Sequence, residues 1–92
     1  MSDPYELGTV PPARRALADR LPPEVVTAAA EFITGPLLNN PQRVGKPLGA
    51  ELAGIFSTRF GRDWRVLYEI DDIKHVVVLL DIRRRSTAYR SR

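Results

Sequence analysis

The sequence predicts a single α+β domain over residues 1–92: an N-terminal strand, a two-helix hairpin, then a three-stranded antiparallel sheet. Residues 55–85, IFSTRFGRDWRVLYEIDDIKHVVVLLDIRRR, are dense in β-branched and aromatic side chains. Short polar breaks at Gly61-Arg62-Asp63 and Asp71-Asp72 divide them into three strands. Upstream, two runs with apolar residues at helical spacing are separated by Leu21-Pro22-Pro23. The length of 92 residues leaves room for one core and no second domain.

Taken in order, residues 5–10 form a short strand stopped by Pro11-Pro12. Residues 12–20 are predicted as a helix with proline in its first turn, placing Ala13, Leu17 and Leu21 on one stripe. Residues 23–34 are predicted as a second helix whose broad stripe contains Val25, Val26, Ala29, Ala30, Phe32 and Ile33. Gly35-Pro36 is expected to end it, which makes the pair an αα-hairpin able to cover the sheet. Residues 39–50, NNPQRVGKPLGA, are expected to be loop and hold Arg43 and Lys46.

Pairing Phe60 with Trp64 and Ile70 with Val76 sets the register of the three strands. Phe56, Thr58, Phe60, Trp64, Val66, Tyr68, Ile70, Val76, Val78, Leu80 and Ile82 then share one apolar face. The opposite face receives Ser57, Arg59, Arg65, Leu67, Asp81 and Arg83, with Val77 and Leu79, and Asp81 falls opposite Arg65. Three guanidiniums from three strands converge there on a half-apolar surface.

Composition removes several classes of function. The chain has no cysteine and one histidine, His75, which excludes a disulfide scaffold and a Cys/His metal site and fits a reducing, cytoplasmic setting. The longest apolar run, residues 76–80, is far too short to span a bilayer, and the N-terminus lacks the pattern of a signal peptide. The net charge of +3 is uneven: five of the twelve arginines lie in residues 83–92, where there is no acid. A phosphate loop, a dinucleotide fingerprint and a zinc-protease motif are all missing, so no metal or cofactor is expected. Asp71-Asp72 is read as a turn former and His75 as an exposed turn residue. What remains is the arginine face. Arginine offers a planar donor fork suited to phosphate, so a polyanionic partner fits.

The run GKPLGAELAGIFSTRFGRDWRVLYEID followed by VVVLLDIRRRSTAY resembles the RelE group of bacterial type II toxins, within the wider RelE/ParE superfamily. The resemblance rests on Leu52-x-Gly54, Phe56, Arg59, Gly61, Trp64, Arg65-Val66-x-Tyr68, and a closing stretch from Arg83 to Tyr89. It implies a strand, two helices and an antiparallel sheet. It also implies an endoribonuclease that cuts messenger RNA, in many members on the ribosome, by attack of the ribose 2′-hydroxyl on the adjacent phosphate.

By position, Arg65 and Arg83 match the family's phosphate-contacting arginines, and Tyr89 its C-terminal tyrosine near the scissile nucleotide. Arg59, Lys46, Arg84 and Arg85 are assigned to substrate binding. Where some members carry a lysine on the first hairpin strand, this chain has Ser57. Arginine does not deprotonate, which leaves Lys46 and Glu51 as candidates for a general base. The implied partners are the ribosome with its message and a cognate antitoxin, with no membrane. Two other readings of the same fold are a ParE-like protein that binds DNA gyrase without cutting RNA, and an inactive RNA-binding remnant.

Overall fold

The computed structural model describes residues 3–49 and 54–84. Its strands are β1 (Glu6–Thr9), β2 (Lys46–Pro47), β3 (Ile55–Phe60), β4 (Trp64–Asp71) and β5 (Val76–Arg84). Its helices are α1 (Pro11–Arg15), α2 (Pro23–Phe32) and α3 (Pro41–Val44). The α+β class and the element order agree with the sequence reading, but the sheet has five strands, not three, in the order β1-β5-β4-β3-β2. It is mixed, because β1 lies parallel to β5, with Glu6 beside Val76 and Thr9 beside Leu79.

The two-residue strand β2 lies inside the stretch expected to be loop. It was missed because two residues, one of them proline, carry no periodicity; its antiparallel pairing with β3 is what makes it a strand. The neighbouring α3 is likewise a single turn started by Pro41.

Both long helices run on past their regular part as π-helical turns, Ala16–Arg20 after α1 and Ile33–Leu37 after α2. Gly35-Pro36 therefore does not end the second helix. Proline lacks an N–H and clashes with the carbonyl four residues back in a straight α-helix. Widening the turn relieves this, and the Leu38 N–H reaches the Ile33 carbonyl across it. The Asn40 N–H then returns to the Pro36 carbonyl at 3.0 Å. Among the described residues, no helix is long and apolar enough to cross a membrane.

The helices cover one face of the sheet. Ala13, Ala16, Ala29, Ile33 and Leu37 pack there against Phe60, Val66, Tyr68, Val77, Leu79 and Ile82. The alanines let the helix backbones lie close to the strands, and each fully buried large side chain contributes about 1.5–3 kcal/mol.

The predicted register holds for β3 and β4, where Phe60 faces Trp64 and Arg59 faces Arg65. It fails along β5. Ile70 faces Val77, and Val76 faces Asp71. Further along, Tyr68 faces Leu79 while Leu67 faces Asp81, so Leu80 is the extra residue of a β-bulge. Val77 and Leu79, expected on the arginine face, are completely buried under the helices, and Val76, Val78 and Leu80 are only half-buried. Five consecutive apolar residues offer no alternation by which to choose a face. The turn makes the choice: Asp71 Oδ1 accepts the N–H groups of Ile73 and Lys74, and His75 takes a left-handed φ of 62°.

Candidate phosphate-binding face

The face of the sheet away from the helices carries the arginines in one cross-strand row. Arg59 on β3 pairs with Arg65 on β4, which pairs with Arg83 on β5. The expected opposition of Arg65 and Asp81 is replaced by arginine opposite arginine, because the β5 bulge moves Asp81 across from Leu67. The correction brings the three guanidiniums closer to a common line than the sequence reading did. Gly61, with φ of 63°, supplies the tight turn that returns the chain from Arg59 to Arg65.

Arg65 is half-buried, and its Nη1 donates a 2.6 Å hydrogen bond to Ser57 Oγ on the neighbouring strand. Ser57 is itself buried. Its part in fixing Arg65 was not anticipated, although the hairpin register places the two residues diagonally on one face. Arg83 is aimed by Asp81, whose Oδ2 accepts from Arg83 Nε at 2.8 Å. The other oxygen, Oδ1, accepts from Arg20 Nη2 at 2.9 Å and from the Ile82 N–H at 2.8 Å. Burial alone would raise the Asp81 pKa. The Arg83 hydrogen bond, the Ile82 N–H and Arg20 outweigh it and hold the carboxyl below its ordinary value. Arg20 comes from the end of the first helical segment, and no local sequence pattern pairs it with a residue so distant.

The edge strand brings in another cation. Lys46 on β2 pairs with Ser57, so it lies on the arginine side, one step along the face from the row. Arg84 takes the opposite side: it pairs with Trp64 and its guanidinium sits 5.0 Å from the centre of the Trp64 ring. It borders a cavity of ≈ 190 Å³ together with Arg20, Leu21, Ile82 and Arg83. Of the predicted site residues, Arg59, Arg65, Arg83 and Lys46 thus share one face, and Arg84 lies on the other side of the sheet, meeting Arg83 only at the cavity they both border. Arg85, Tyr89 and the candidate base Glu51 lie outside the described residues, as does Leu52 of the matched pattern.

Chemically, the row is suited to a polyanion. A guanidinium held by Ser57 and another held by Asp81 present fixed donors across adjacent strands about 4.8 Å apart, a spacing that phosphate oxygens can bridge. Among the described residues, no cluster of three or more His, Asp or Glu side chains is placed to hold a metal ion.

Comparison with known proteins narrows the assignment. Residues 12–89 match the family described as ParE toxin of type II toxin-antitoxin system, parDE. The chain is 50% identical over 92 residues to Toxin RelE of Mycobacterium tuberculosis, covering 98% of this chain and 93% of the relative. It is 47% identical over 87 residues to Toxin RelG of the same organism, covering 95% and 98%. Among solved structures, the RelBE2 toxin-antitoxin complex of M. tuberculosis aligns with a TM-score of 0.83 and 47% identity, over 90% of this chain and 100% of that one. The isolated Escherichia coli RelE toxin aligns with a TM-score of 0.72 over 87% of this chain and 83% of that one; at 18% identity it supports the fold alone. The family description carries the ParE name and the relatives carry RelE names. Identity near one half over almost the whole chain is the finer evidence.

Proposed function

The chain belongs to the RelE-type toxins of type II toxin-antitoxin systems, in the RelE/ParE superfamily, and on that premise we propose that it is an endoribonuclease cutting messenger RNA on the ribosome. The observation that carries this reading is the row of Arg59, Arg65 and Arg83 on the open face of the sheet. In the proposed reaction, the ribose 2′-oxygen attacks the adjacent phosphorus and the 5′-oxygen leaves. Negative charge builds on the phosphoryl oxygens in between. Arg65, oriented by Ser57, and Arg83, oriented by Asp81, are donors already in position when that charge appears, which is where electrostatic catalysis gains most. Arg59 and Arg85 are assigned to binding the RNA backbone beside Lys46, whereas Arg84, turned to the opposite side of the sheet against Trp64, is left out of that role. Tyr89 is assigned to the nucleotide flanking the scissile bond.

The solved RelBE2 neighbour is a toxin-antitoxin complex. A cognate antitoxin covering the arginine row is the corresponding partner proposed for this chain.

The ParE name of the matched family favours one alternative, a gyrase-binding protein of the same fold. One experiment separates the two. Purified chain is added to ribosomes programmed with a defined message, and primer extension maps cuts, with DNA supercoiling by gyrase measured in parallel. New cleavage ends with unaffected supercoiling are expected. Intact message with inhibited gyrase would replace the nuclease reading with the alternative.

A further inference from the structure

We infer that Lys46 is the general acid of the cleavage, protonating the departing 5′-oxygen; the inference rests on the nuclease reading above. It starts from the segment around Lys46, which is anchored to the sheet at four points. Tyr68 Oη, buried in the core, donates to the Pro41 carbonyl at 2.7 Å. Thr58 Oγ1 donates to the Val44 carbonyl at 3.3 Å. The Leu48 N–H donates to the Ile55 carbonyl at 2.9 Å. Gly45 lies so close to the sheet that a Cβ there would collide with Tyr68 Oη and stand 2.9 Å from the Ser57 carbonyl. These contacts bracket Lys46 on both sides and press the backbone beside it onto β3.

The result is that Lys46 is paired with Ser57, the residue that holds Arg65. A two-residue edge strand contributes little to the sheet, yet it is fixed in register by contacts on either side. What it presents to the arginine face is one long side chain with an ammonium group.

The chemistry supplies the role. An alkoxide is a poor leaving group, so the 5′-oxygen needs a proton as its bond to phosphorus breaks. Guanidinium groups donate hydrogen bonds but do not release a proton. Lys46 is the lysine on this face; Lys74, the other in the chain, lies in the β4–β5 turn at the far end of the sheet. As the 2′-oxygen forms its bond to phosphorus it gives its proton to water. The phosphorus–5′-oxygen bond breaks, its electron pair stays on that oxygen, and the oxygen takes a proton from Lys46 Nζ. The products are a 2′,3′-cyclic phosphate and a 5′-hydroxyl, and solvent returns a proton to the amine.

The test compares two messages on the ribosome, one with an ordinary scissile phosphate and one with sulfur in place of the bridging 5′-oxygen. A thiolate leaves without protonation, so loss of a general acid is rescued by sulfur and loss of a binding contact is not. Lys46→Gln is expected to slow cleavage of the ordinary message by about 10²–10⁴-fold and of the sulfur message by less than ~10-fold. Lys46→Arg, which keeps the charge, is expected to preserve KM and lose kcat on the ordinary message. Equal losses on both messages would make Lys46 a binding residue and overturn the inference, as would full activity of either variant on the ordinary one. A native chain that cuts neither message would instead remove the nuclease reading itself.

Discussion

At the β4–β5 turn, Tyr5 Oη donates to Asp72 Oδ1 at 2.5 Å, and Gln42 Nε2 donates to both groups at 2.8 and 3.0 Å. The Tyr5 ring stacks on His75 at 3.8 Å, and His75 Nε2 meets the Asp3 carbonyl at 2.9 Å. At the other end of the same strands, Arg59, Arg65 and Arg83 stand side by side, with Asp81 divided between Arg83 and Arg20. The first cluster closes on itself: each donor meets an acceptor, and one acid, one amide and two rings fasten β1, α3 and the turn together. In the second, like charges are held next to each other. A cluster whose polar groups satisfy one another is explained by the fold it ties together. A row of like charges gains little for the fold, and that contrast is the ground for the phosphate-binding role proposed above.

Substitutions at the two ends should therefore separate activity from stability. The largest effect is expected for Arg65→Ala. Removing a single preorganised donor should lower cleavage of ribosome-bound message by about 10²–10³-fold. Loss of its hydrogen bond to Ser57 should cost only about 1 kcal/mol of stability. Primer extension and thermal unfolding of the same preparation read both quantities. Full cleavage by this variant would cancel the contrast, and collapse of the fold would turn Arg65 into a structural residue.

Tyr68→Phe, in the core between the two ends, comes next. It removes the buried hydroxyl from the Pro41 carbonyl and should cost about 1–2 kcal/mol. Burial pushes the Tyr68 pKa up to about 12, against a partial offset by the Gly45 N–H. The folded state therefore holds this proton where the unfolded chain has released it. The resulting stabilisation is complete below pH 10 and lost as pH rises from 10 to about 12. Denaturant midpoints across that window should fall more steeply for the native chain than for the Phe variant. Parallel slopes would mean that Tyr68 is not responsible.

The smallest effect is expected for Tyr5→Phe. The Asp72 hydrogen bond raises the Tyr5 pKa, with Gln42 acting against it, but the hydroxyl is at the surface. A small drop in Tm with unchanged cleavage is the expected outcome. Reduced cleavage would show that the two ends are coupled.

How much of this was legible in the sequence depended on pattern strength. The hairpin of β3 and β4 was readable because Phe60, Trp64, Val66 and Tyr68 alternate with Arg59, Arg65 and Leu67, and only one register keeps the charges out of the core. Along residues 76–80 every side chain is apolar, so the bulge at Leu80 left no trace, and Asp81 was set opposite the wrong arginine. Pro36 was read by its usual effect on an α-helix, and a widened helical turn absorbed it. Arg20 and Gln42 act through contacts that no local spacing announces. The arginine row was found because its members follow strand periodicity. The anchoring of Lys46 was missed because it depends on Tyr68, Thr58 and Gly45 meeting across elements.

The parallel pairing of β1 with β5 also bears on the arginine row. Glu6 and Val76 are 70 positions apart in the sequence, so the sheet is closed by its most non-local pairing. Arg83 lies on β5 as well, so the strand that completes the three-arginine row is the one that holds this long-range pairing.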